Sequence, residues 1–217
     1  MAEASGVAQF DNRAHGYHRG WRGEFHARVV VGSAELVAEH ASGSVALLDV
    51  GCGTGALLRE LSDRLPADAR LVGVDPAPSM IEVASDALGG DGRVELRQGF
   101  AERLPFASDG FDVVVSTVSF HHWADQQAGT GEVARVLRPG GTFVLVDHFA
   151  TGWLRAFNAV ARRRMRTVDE VEAMLRASGL APAGWSRVYD LGPLALIRAV
   201  TANAQRESET PAAPSAS

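Results

Sequence analysis

Lysine is absent from the chain: all 21 basic residues are arginine. Chemistry that runs through a lysine base or a lysine Schiff base is therefore excluded, and a GC-rich genome accounts for the arginine bias without a functional cause. Cysteine occurs once, as Cys52, so no disulfide can close within the chain, which fits a reducing cytoplasm. No apolar run approaches the roughly 18–20 residues of a membrane span. The stretch Met1-Ala2-Glu3-Ala4-Ser5-Gly6 offers neither a basic nor an apolar leader region, so no export signal and no membrane partner are expected. Excess positive charge is lacking too. A net charge of −5 argues against a nucleic-acid partner, because gripping phosphates calls for a basic face.

What is present is 217 residues, 46% of them hydrophobic, enough for one domain with a full core and short for two. Residues 1–205 are expected to form that domain, and 206–217, with two prolines among small polar residues, a disordered tail. From residue 45 strand and helix patterns alternate. Strands are predicted at Val45–Val50, Arg70–Val74, Val94–Gln98, Phe111–Ser116 and Thr142–Asp147. Helices are predicted at Ala56–Leu65, Ser79–Leu88 and Gly131–Leu137, the last stopped by Pro139-Gly140-Gly141. Alternation of this kind implies an α/β fold: a doubly wound, mostly parallel sheet with helices on both faces. Phe10–Glu39 has helical spacing and reads as one or two helices, and Trp153–Arg166 reads as a further helix. Thr167 and Glu170 form a capping-box pattern for a helix ending at Ser178-Gly179. Trp185–Leu191 and Ala195–Thr201 read as a closing antiparallel hairpin.

The organising stretch is Leu47-Leu48-Asp49-Val50-Gly51-Cys52-Gly53-Thr54-Gly55, a buried strand running into a glycine turn at the head of a helix. Such a turn lets a nucleotide lie directly on the main chain. Gly51, Gly53 and Ala56 satisfy the dinucleotide fingerprint, with Asp75 placed for a ribose, so an NAD-dependent oxidoreductase stays in view. Asp49 weighs against it. A carboxylate beside the turn opposes a pyrophosphate but favours a ligand carrying an ammonium and a sulfonium; its other reading is a cap on nearby backbone N–H groups.

Asp49-Val50-Gly51-Cys52-Gly53-Thr54-Gly55 resembles the first motif of class I S-adenosylmethionine (AdoMet)-dependent methyltransferases, nearest the ubiquinone and menaquinone biosynthesis type. Four further stretches match in order: Val72-Gly73-Val74-Asp75-Pro76 with Met80, Ala101-Glu102-Arg103-Leu104-Pro105-Phe106, Asp109-Gly110-Phe111-Asp112-Val113-Val114, and Arg135-Val136-Leu137-Arg138-Pro139-Gly140-Gly141. The resemblance implies a Rossmann-like methyltransferase fold with a seven-stranded sheet, parallel but for one strand of the terminal hairpin. It also implies an N-terminal helical lid over about 10–40 and a substrate-covering helix over about 150–167. AdoMet is the implied cofactor, with S-adenosylhomocysteine as product.

The cofactor site implied by the resemblance has Gly51, Cys52 and Gly53 under the methionyl part and Asp49 near its amino group. Asp75, next to Pro76, takes both ribose hydroxyls, since a carboxylate can accept twice. Met80 covers the adenine ring or packs in the core. After strand three, similar proteins carry Asp or Asn for the adenine amino group; here the residue is Phe100, so recognition falls to the Ala101 backbone, to Glu102 or to shape. Ser116 and Thr117 match positions at the methionyl end. Tyr17 is placed as a lid residue where similar enzymes carry a Tyr-Asp pair, with Trp21 beside it toward the substrate; plain helix packing is the other reading.

On the acceptor side, Ser119-Phe120-His121-His122-Trp123 follows strand four and should flank the sulfonium. His121 is the candidate base, since histidine titrates near neutrality, or else a packing element at a helix start. His122 and Trp123 would shape the pocket. His148, with Asp147 beside it, is the second candidate base, and Trp153 and Phe157 are placed to line an apolar site. Arg162-Arg163-Arg164 reads as a solvated face, or as a partner for an acceptor carboxylate. The histidines lack compact ligand spacing, so no metal is expected. The expected reaction methylates oxygen or carbon of a small aromatic or apolar metabolite, in a monomer or homodimer. A non-methylating step such as cyclisation, or plain AdoMet binding, is the alternative.

Overall fold

The computed structural model describes residues 20–41, 45–149, 165–190 and 196–205. Valine and leucine fill the central strands because both faces of the sheet are covered. In β1 (Ala46–Val50), Leu47 enters one apolar cluster and its neighbour Leu48 the other, as a period of two requires. β2 (Arg70–Asp75) and β4 (Phe111–Thr117) flank β1, both in parallel. β3 (Val94–Gln98) pairs outside β2, and its more exposed residues mark it as an edge. β5 (Leu137–His148) runs parallel to β4. Beyond it lie β6 (Leu180–Asp190) and β7 (Leu196–Ala204), with β7 inserted antiparallel between β5 and β6. The order is β3-β2-β1-β4-β5-β7-β6, the mostly parallel seven-stranded arrangement expected.

Helices α1 (Gly20–His40), α2 (Ala56–Arg64) and α3 (Pro78–Leu88) pack into the cluster around Leu47 and Val146. α4 (Gln126–Val136) and α5 (Val168–Ala177) pack into the cluster around Leu48 and Leu145 on the other face. No helix among the described residues is long and apolar enough to cross a membrane.

Several boundaries differ from expectation for local reasons. α4 starts at Gln126 rather than Gly131, because the Asp125 carboxylate accepts the Ala128 N–H at 3.0 Å and caps the helix early. β5 starts at Leu137, and Pro139-Gly140-Gly141 is carried inside it across a register shift, with Gly140 at φ 82°. α1 is a single helix. The capping box of Thr167 and Glu170 opens α5 as expected. Tyr17, Trp153, Phe157, Arg162-Arg163-Arg164 and the tail from 206 lie outside the described residues.

The loop between β3 and β4 is fixed from α4. Glu132 accepts the Leu104 N–H at 2.8 Å, and Arg135 donates to Glu132, Leu104 O and Phe106 O. A planar fork reaching three acceptors is a geometry lysine does not reproduce. Replacing Arg135 by Ala is expected to lower unfolding stability by about 1–3 kcal/mol, the scale of charge-assisted hydrogen bonds. Urea titration checks it, and Arg135→Lys is expected to recover less than half.

Candidate functional site

The sheet order reverses between β1 and β4, and the crevice beyond the carboxyl ends of strands at such a point is where an open α/β sheet receives ligands. There the chain makes its glycine turn. Gly51 has φ 77° and Gly53 φ 52°, backbone that a side chain would strain. Gly51 and Cys52 both donate to Val74 O, at 2.8 and 3.0 Å, which staples the turn to the end of β2. A Cβ on Gly51 would lie 2.3 Å from Ser119 Oγ. That contact is used: Ser119 Oγ donates to Val50 O at 2.8 Å, and lies 2.8 Å from Ser116 Oγ and 3.3 Å from Trp123 Nε1. The segment after β4 is thus stitched to the end of β1.

These elements enclose a cavity of about 740 Å³. Asp49, Gly51, Cys52, Gly53, Asp75, Pro76, Met80, Phe100, Ala101, Glu102, Thr117, His121, His122 and Trp123 all border it. Two carboxylates dominate the floor. Asp75 accepts the Gly53 N–H at 3.0 Å on Oδ2 and the Ala77 N–H at 2.9 Å on Oδ1, so it closes the turns after β1 and β2 together. Asp49 is 2% exposed, and its Oδ1 has no hydrogen-bond partner. Burial, and then the charge of Asp75, push the Asp49 carboxyl up to about 8. Cys52 is likewise pushed up, chiefly by burial and then by Asp49 and Asp75, which makes it an inert wall. Thr117 Oγ1 is a second buried polar atom without a partner on the same rim.

At the far end, buried Met80 and the exposed ring of Phe100 bound an apolar slot, and Glu102 is tethered by the Asp125 N–H at 3.1 Å. The opposite wall comes from the turn Phe120–His122 and from α1, through His26, Ala27, Val30 and Val31. His121 Nδ1 lies 2.7 Å from Asp147 Oδ1. Trp123 packs edge-on against Phe120 with ring centres 5.1 Å apart, so it is as much core as wall.

Two expected site residues do not reach the cavity. Ser116 is wholly buried behind it and serves Ser119 instead. His148 is turned to the α1 face, stacked 6.2 Å from Phe25, while Asp147 points to the other face and takes His121. Burial depresses the His148 imidazole, offset by Asp147 and reinforced by His121. Trp21 lies in the first turn of α1, but its side chain is outside the described residues. Ser119 lies in the stretch that the sequence set beside the cavity, and α1 falls in the segment expected as a lid; sequence reasoning missed the stitching bonds of Ser119 and the conformation of Val118. Val118 is a β-branched residue held at φ 53° with its N–H on Val146 O at 2.7 Å, a conformation costing about 1–3 kcal/mol. Among the described residues no group of His, Cys, Asp and Glu could hold a metal ion.

Asp49 gives a pH signature. Folded, it keeps its proton up to about pH 8, whereas an unfolded aspartate releases it near pH ~4. The folded state binds more protons between these values, so the stability of the ligand-free protein falls as pH rises through that window. Asp49→Asn is expected to remove this fall and to exceed wild type by up to a few kcal/mol at about pH 8. Urea unfolding at about pH 5 and about pH 8 measures it.

The sequence and the fold have counterparts in known proteins. Residues 48–145 match a family described as a methyltransferase domain. The chain is 34% identical over 164 residues to the uncharacterized methyltransferase YcgJ of Bacillus subtilis, covering 70% of this chain and 62% of that one. It is 35% identical over 133 residues to the demethylmenaquinone methyltransferase of Deinococcus radiodurans, covering 61% of this chain and 51% of that one. The chain therefore spans less than two thirds of the length of these curated relatives. The crystal structure of YcgJ superposes with a TM-score of 0.68 at 25% identity, covering 81% of this chain and 98% of that one. Residues 48–145 thus match a methyltransferase domain, and in sequence and sheet order the chain resembles the class I S-adenosylmethionine-dependent methyltransferases of the ubiquinone and menaquinone biosynthesis type.

Proposed function

We propose that this protein transfers the methyl group of AdoMet to an oxygen or carbon nucleophile of a small, apolar or aromatic metabolite. The observation that carries the reading is the buried, partnerless Oδ1 of Asp49 on the cavity floor. Such an atom is costly unless a ligand brings a donor or a positive charge to it. The residues fit AdoMet: Asp49 and Thr117 would hold the ammonium end, Asp75 the ribose diol, and Met80 with Phe100 the adenine faces. Phe100 stacks but cannot accept a hydrogen bond, so the amino group of the adenine is left to Glu102 or to solvent. When bound, AdoMet supplies an electrophilic methyl carbon on a sulfonium.

The protein contributes alignment, water exclusion and a proton acceptor. Val118 and the α1 residues Ala27, Val30 and Val31 give the acceptor side an apolar wall, and His121 and His122 put polar groups within it. That mixture supports an acceptor with an apolar body and one ionisable group. The relative in Deinococcus radiodurans is named a demethylmenaquinone methyltransferase, which favours an aromatic acceptor. His121 is the proposed base.

Calorimetry with AdoMet and with S-adenosylhomocysteine tests the cofactor assignment. Both are expected to bind, and Asp75→Ala is expected to weaken each by roughly 10–100-fold, the loss of a charge-assisted hydrogen-bond pair. Absence of binding by wild type would sink the proposal. Mass spectrometry of reactions with a metabolite panel is expected to show a methylated product and released S-adenosylhomocysteine in equal amounts. On the acceptor so found, His121→Ala is expected to cut the single-turnover rate by about 10²–10⁴-fold with AdoMet affinity within about twofold of wild type. An unchanged rate across pH would remove His121 from the mechanism.

A further inference from the structure

The cluster around His121 carries more than a base. Asp147 is wholly buried at the end of β5, and among the described residues it takes backbone and ring N–H groups of His121 and His148. The His121 N–H reaches Oδ2 at 3.1 Å, His121 Nδ1 lies 2.7 Å from Oδ1, and the His148 N–H reaches Oδ1 at 2.6 Å. His121 is thus held by one carboxylate at both its backbone and its ring, which fixes the side-chain torsions between them. The ring is further packed by His122, with centres 3.8 Å apart, and by His148 edge-on at 5.8 Å.

We infer that Asp147 is a positioning residue that locks His121 in the tautomer carrying its proton on Nδ1, so that bare Nε2 faces the cavity and takes a proton from the methyl acceptor. A carboxylate can only accept hydrogen bonds, so the nitrogen set against it must be the one that bears hydrogen. His121 borders the cavity and Asp147 lies behind it, so the second ring nitrogen is turned toward the substrate side. Within the methyltransferase reading on which this rests, the proton of the acceptor moves to Nε2 and its bonding pair stays on the acceptor atom. Nδ1–H remains on Asp147, and the positive charge gained by the ring is matched by the carboxylate beside it. His148 does not compete for that charge, since its burial favours the neutral ring.

The arrangement also selects a class of acceptor. An amine attacks through a lone pair it already has, and needs no proton removed beforehand. A phenol or enol, or the ring carbon conjugated to its oxygen, becomes a strong nucleophile only as its proton leaves. A prealigned imidazole with a buried carboxylate behind it therefore serves a weakly acidic hydroxyl.

Long-range ¹H–¹⁵N NMR of the imidazoles in the full-length protein, at about pH 8.5 where an ordinary histidine is neutral, reads the tautomer without cofactor or acceptor. His121→Gln assigns the resonance. Wild type is expected to show Nδ1 protonated and Nε2 bare. Asp147→Ala is expected to revert His121 to a population dominated by Nε2–H, the form an unconstrained neutral imidazole prefers. Asp147→Asn, whose amide oxygen still accepts from Nδ1–H, is expected to keep the wild-type tautomer, which separates positioning from mere packing. Nε2–H in wild type overturns the inference whether or not either variant folds, and so does an unchanged tautomer in a folded Asp147→Ala. Calorimetry on the same samples is expected to give AdoMet affinity within about twofold across them. Failure of wild type to bind AdoMet would strike the functional reading while leaving the tautomer result to stand by itself.

Discussion

Two carboxylates at the ends of neighbouring parallel strands set the terms for the rest of this molecule. Asp75 is satisfied by the backbone, and by accepting Gly53 N–H and Ala77 N–H it holds the turns after β1 and β2 in one piece. Asp49 is left with a bare buried oxygen in the field of Asp75. Proteins tolerate such a group where a ligand completes it, so the unsatisfied atom and the satisfied one are parts of one device. The glycines are subordinate to it: they let the main chain pass close enough to Ser119 for the two carboxylates to face the same space.

The parallel core was legible in the sequence because runs such as Leu47-Leu48 and Val113-Val114-Val115 have to be buried on both sides wherever they sit. The floor of the cavity was legible too, since it is made of consecutive residues in a single turn and its neighbour. What stayed hidden depends on backbone direction at single residues. Val118 takes a left-handed φ, and this turns Ser119 toward the crevice while Ser116 faces inward. Nothing in the side chain of a valine announces that conformation. Gly129, Thr130 and Gly131 mask the early start of α4, which rests on the cap at Asp125. Gly129 is there because a Cβ would strike the Trp123 ring at 2.3 Å, a contact visible only in three dimensions.

Asp147 and His148 illustrate the same limit from another side. Adjacent in sequence, they invite pairing, yet successive residues of a strand point to opposite faces. Asp147 therefore meets His121 from the β4 side, and His148 meets Phe25 from α1. The pairing that matters joins residues 26 positions apart, and it arises from the order β4-β5 in the sheet.

The antiparallel course of β7 has a consequence for how this protein can be attached to other things. Its first residues lie beside His148, and its last, Asn203 and Ala204, lie beside Thr142 and Leu180, at the end of the sheet opposite the cavity. Gln205 then donates to Gly179 O, so the last described residue sits at the end of the sheet away from the cavity. A tether, fusion partner or immobilising surface joined there would hold the protein by its base, with the mouth of the cavity left pointing outward.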